Sequence, residues 1–136
     1  MADLTITAAN VIAGSGAKVS HGVAGESVTA GQVVYADSAT NSYKLADINS
    51  ATAAVRAGVG IALHASLAGQ PLAVLTEGPV TIGAALTAGV AYYASGTPGG
   101  IRPVADNVTG DYPVLLGIAT SATVLNVEIQ RAGVAL

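Results

Sequence analysis

The chain has 136 residues, 51% of them apolar and only 10% charged, with five Lys and Arg against eight Asp and Glu and no Cys, Trp or Phe. The missing Cys excludes disulfides and thiolate chemistry. The net charge of −3 and the scattering of Lys18, Lys44, Arg56, Arg102 and Arg131 exclude a nucleic-acid footprint. A chain of this length fits one domain, and its apolar content is Ala and Val interleaved with Gly, Ser and Thr, so no stretch approaches the ~20 apolar residues of a spanning helix.

At the N-terminus, Leu4-Thr-Ile-Thr7 alternates apolar and polar and predicts a short strand. Acidic Asp3 and the lack of a basic segment argue against a secretory signal. Asn10 to Gly25 carries Gly14, Gly16, Gly22 and Gly25 around Lys18 and His21, a glycine density that predicts a flexible or irregular arm. Residues 1–24 therefore form an N-terminal arm, followed by a single β domain over 25–136.

That domain is written twice. Gly25-Glu-Ser-Val-Thr-Ala-Gly-Gln-Val-Val-Tyr-Ala36 returns 58 residues later as Gly83-Ala-Ala-Leu-Thr-Ala-Gly-Val-Ala-Tyr-Tyr-Ala94, identical at six of twelve positions. Ala46-Asp47 matches Ala105-Asp106, and Gly60-Ile-Ala62 matches Gly117-Ile-Ala119. Leu72, Val74 and Thr76 before Gly78 align with Val127, Ile129 and Arg131 before Gly133. The pattern indicates a duplicated β unit of roughly 55 residues, with repeats at 25–80 and 83–136 and no counterpart of the arm in the second.

Each copy opens with a turn in which Gly31 or Gly89 is placed for positive φ, and continues into a β-rich run, Gln32 to Ala36 or Val90 to Ala94. Polar turn residues follow and predict a hairpin. After Asp47, the run Ala51 to Ala57 predicts one short helix, about 50–57, capped by Asp47, Asn49 or Ser50 and ended by Gly58. Gly110 and Pro113 predict a loop at the same place in the second copy. Val59 to Leu63, Leu72 to Thr76, Leu115 to Ala119 and Val124 to Gln130 complete about ten short strands, a mainly β domain of barrel or sandwich type.

No chemistry-bearing constellation emerges. His21 and His64 have no metal-ligand spacing, no Ser sits in a nucleophile elbow, and neither Gly14-Ser-Gly16 nor Gly58-Val-Gly60 has the residues of a phosphate loop. Asp47 and Asp106, equivalent in the two copies, suit turn or helix capping better than acid–base work. Tyr35 and Tyr93 recur in register as anchors at the edge of the core. Catalytic, cofactor-binding and metal-binding residues are accordingly expected to be absent. The low charge and small side chains point to self-association.

The ordered set Ala30-Gly-Gln-Val-Val34, Ala46-Asp47, Val59-Gly-Ile-Ala-Leu63, Ala68-Gly-Gln70 and Pro71 to Gly78 resembles the capsid decoration, or head cement, proteins of tailed bacteriophages. A weaker second copy extends the resemblance over residues 25–136. It implies a non-enzymatic virion protein with a small β-barrel or β-tulip fold, usually a homotrimer. Such a protein binds the major capsid protein on the outer surface of the mature head, without cofactor, nucleic acid, membrane or small-molecule substrate. In such proteins an N-terminal arm often contacts the shell, and on this chain's own composition Leu4, Thr5, Ile6, Thr7, Asn10, Lys18 and His21 are the contact candidates. A tail or fibre module is the alternative, with a carbohydrate-binding β domain behind it; the first lacks heptads or fibre repeats here, and the second lacks an aromatic platform.

Overall fold

A computed structural model describes residues 3–132 together with Val134 and Ala135. Its ten strands are β1 (Val11–Ala13), β2 (Lys18–Val23), β3 (Val33–Asp37), β4 (Ser42–Leu45), β5 (Gly58–Ala62), β6 (Pro71–Ile82), β7 (Ala91–Ala94), β8 (Ile101–Pro103), β9 (Val114–Ala119) and β10 (Val124–Arg131). They form one antiparallel sheet curled into a half-barrel, with almost no helix, the mainly β, barrel-like architecture expected from the sequence.

The duplication is visible in the strand order, β4-β3-β5-β6 followed by β10-β9-β7-β8, which reads the same from either end. β6 and β10 meet at the seam with Glu77 opposite Glu128. A register irregularity falls between Val34 and Tyr35 where β3 meets β5, and between Tyr92 and Tyr93 where β7 meets β9, so the two copies share a bulge at equivalent positions.

The registers revise the repeat alignment at its end. Ile61 lies opposite Leu75, and the matching Ile118 lies opposite Asn126, so β6 corresponds to β10 with an offset of 51, not 55. The slip of four is even, and alternation of period two looks the same after any even shift. Gly133, aligned with Gly78 by sequence, lies outside the described residues.

The arm is the larger correction. β1 and β2 are not irregular chain: both pair antiparallel with β6, Val11 to Ala13 along Val80 to Ile82 and Lys18 to Val23 along Pro71 to Glu77. Together they make one long edge strand, bulged at Gly14 to Ala17 opposite Gly78 (φ +108°). Nor is β2 without a counterpart, since each copy begins with a strand laid against its own last strand, β2 on β6 and then β6 on β10. Two of these glycines provide close approach: a Cβ on Gly22 would stand 2.7 Å from the Tyr43 ring, and one on Gly14 would stand 2.8 Å from Pro79. At the end of β2, a bridge between Ala24 and Tyr43 draws β2 onto β4 within the one chain.

Leu4 to Thr7 is not a strand either. Its alternation is real, with Leu4 and Ile6 packed on the main core and Thr5 and Thr7 exposed, but the backbone makes single bonds to Ile101 and Gly83 instead of a ladder. The core that receives it joins both copies through Val33, Ile61, Leu75, Ile82, Ile101, Leu116 and Leu125, all fully buried. Each such side chain contributes about 1.5–3 kcal/mol of burial free energy, which is how a core without Phe or Trp holds.

The expected helix at 50–57 is a succession of turns, closed by Val55 N–H to Thr52 O and Ala57 N–H to Ala54 O. A helix this short cannot offset its nucleation cost, and tertiary bonds oppose it. Asp47 N–H donates to Val55 O, and the Arg56 guanidinium donates to Ser50 O while stacking 3.6 Å above the Tyr112 ring. Among the described residues, what helix there is consists of two single 3-10 turns, Ala8–Asn10 and Val104–Asp106.

Candidate docking surface

The N-terminal segment is fastened at both ends. The Asp3 carboxylate accepts from Ser95 Oγ at 2.7 Å, Leu4 N–H donates to Ile101 O at 2.7 Å, and Thr7 N–H donates to Gly83 O at 2.8 Å. Ile6 seats against Gly31, where a Cβ would come within 2.7 Å of its Cγ2, and a Cβ on Gly83 would come within 2.5 Å of Thr7 O. Two turn glycines, one from each copy, thus make the bed for the segment and place it across the junction of the repeats.

The seating divides the seven contact candidates. Leu4 and Ile6 face inward and are committed to the core. Thr5, Thr7 and Asn10 are exposed and line one wall of a shallow, largely apolar groove of about 700 Å³, whose far wall carries Ala84, Ala85 and Ala122. Lys18 and His21 stand elsewhere, exposed on β2. Lys18 pairs with Glu77 at 3.7 Å, and His21 borders a second depression of about 370 Å³ beside Asp37 and Tyr43.

Sequence reasoning missed Ile12, which lies 62% exposed in the wall of the larger groove. The signal was present, because Val11-Ile-Ala13 is an unbroken apolar run and a strand must turn every second side chain to its other face.

The turn residues sit as their types require. Gly31 and Gly89 have φ of +88° and +85°, and the Asp47 carboxylate accepts from Asn49 N–H at 3.1 Å. Asp106 closes the 3-10 turn after β8. Of the recurring tyrosines, Tyr35 is buried and Tyr93 half-buried. Tyr92 goes deeper into the core, and its hydroxyl accepts from Thr87 N–H. His64 has both ring nitrogens engaged, Nδ1–H on Ala65 O and Nε2 accepting from Ala73 N–H, the work of a strand-end clasp.

Electrostatics elsewhere is structural. Arg102 is 2% exposed and paired with Asp111, a buried ion pair the sequence did not announce. Asp37 and Lys44 bridge the β3–β4 hairpin at 2.9 Å; this bond holds Asp37 below and Lys44 above their ordinary pKa values. Burial, with the nearby Asp37 charge second, pushes Tyr35 up. Among the described residues no three of His, Asp and Glu gather as metal ligands would, and no helix is long and apolar enough to cross a membrane.

In comparison with known proteins, the chain matches no protein-family model and no curated sequence.

Proposed function

We propose that this protein is a structural component of a tailed-phage virion that binds the outer surface of the mature capsid as a decoration protein, with the major capsid protein as partner and a homotrimer as working unit. The observation that carries the reading is the groove beside the N-terminal segment: uncharged, and lined by Thr5, Thr7, Asn10, Ile12 and small alanines. A surface of that kind suits flat, close protein–protein packing, in which a buried apolar anchor such as Ile12 supplies affinity. A trimer multiplies weak single contacts through effective concentration, and binding to the assembled shell alone stabilises it by mass action. The ordered motifs of residues 25–136 support the same reading by resemblance.

The test is co-sedimentation with expanded heads stripped of decoration. Deleting the whole arm would also strip β1 and β2 from β6, so charge is placed in the groove instead. Ile12→Glu and Ala122→Glu are expected to keep the fold and to weaken capture by at least about tenfold, a loss of about 1.4 kcal/mol per site. Undiminished capture by the folded double variant would end the proposal.

A further inference from the structure

Two of the chain's five cationic side chains, Arg56 from the 50–57 turns and Arg131 from the end of β10, line one small pocket of about 200 Å³. Tyr112, Pro113, Ala53, Ala57 and Val114 complete its lining, which is mostly apolar. Both guanidiniums are held by neutral groups: Arg56 donates to Ser50 O at 3.1 Å and stacks on Tyr112, and Arg131 reaches Gly58 O at 3.5 Å. Among the described residues neither forms an ion pair, although Arg102, Lys18 and Lys44 all do. Glu77 and Glu128 lie in the adjoining depression, which Arg131 also borders, without closing on either arginine.

We infer that this pocket is a receptor for a single carboxylate, the Asp or Glu side chain of a partner protein. Stacking on Tyr112 pre-orients the Arg56 fork, so little freedom is lost when it takes a planar carboxylate, while the alanine and valine lining receives the methylenes behind the charge. Two cations in a chain of net charge −3 suit one carboxylate; a polyphosphate backbone would meet the surrounding acids and no basic stripe. The site lies outside the N-terminal groove and does not depend on the capsid reading.

An NMR titration of the full chain with acetyl-Leu-Glu-Leu-amide, its Gln counterpart and inorganic phosphate tests it. The Glu peptide should give saturable shifts at Ala53, Ala57 and Tyr112, the Gln peptide and phosphate should bind about tenfold more weakly or worse, and Arg131→Gln should weaken the Glu peptide about tenfold with the remaining spectrum unchanged. Arg131 is exposed, so its removal does not threaten folding. Equal binding of the Glu and Gln peptides, phosphate binding as tight as the Glu peptide, an unaffected Arg131→Gln variant, or no saturable shift at those residues would each overturn the inference.

Discussion

Single residues decide where backbones can meet. Gly60 and Gly117 occupy equivalent positions at the shared bulge, and a Cβ on either would run into the backbone of the next strand, at Leu75 or Asn126. Neither neighbour can yield without breaking the ladder, so Gly117→Ala should cost about 3 kcal/mol in denaturant unfolding. The control is Gly69→Ala, where φ is +86° and nothing lies within 4 Å of the new Cβ; only left-handed strain of about 1 kcal/mol is expected. The buried pair belongs to the same scale. Truncating Asp111 to Ala strands the Arg102 guanidinium, whose Nε already lacks a partner among the described residues, and should destabilise the fold by about 3–5 kcal/mol.

Among the elements, the β3–β4 hairpin carries the pH dependence. Asp37 titrates below the ordinary carboxylate value because Lys44 donates to it, with help from Ala39 N–H. Its contribution is therefore complete above its unfolded value near 4 and is lost as pH falls through the lower folded value. Lys44, raised by the same bond, contributes below its unfolded value near 10 and loses that as pH rises through its folded one. The difference in thermal midpoint between the parent and Asp37→Asn should accordingly be steady at neutral pH and shrink below about pH 4. Arg56 ties the 50–57 turns both to Ser50 O and to the Tyr112 ring, so Arg56→Ala should loosen them at a cost of about 1 kcal/mol, read as faster amide exchange confined to residues 50–57 and the facing 107–113 loop.

For the whole molecule, β6 is the spine. It pairs with β1 and β2, and with β5 and β10, so both repeats and the two strands ahead of them are tied to one strand. Its amides should therefore be the slowest to exchange, and a chain lacking residues 2–13 should lose protection first at Val80 to Ile82, where β1 is removed. Uniform loss of protection across the sheet would show instead that residues 2–13 hold the entire fold.

The duplication, the turn glycines and the strand alternation were legible in the chain because they are local: a positive φ needs glycine, and a half-buried strand needs period two. The same locality explains the errors. Alternation could not tell an offset of 55 from 51, Gly22, read as slack, lets β2 lie against Tyr43, and seven helix-compatible residues after Ser50 were bent by contacts to Val55 and Tyr112. Of the residues lining the groove, Thr5, Thr7 and Asn10 were picked out in the sequence only as members of an N-terminal arm. That Leu4 and Ile6 turn inward while Ile12 turns out, and that Arg56 and Arg131 share a pocket across 75 residues of chain, was decided by tertiary packing, because it depends on which distant surfaces bury one another.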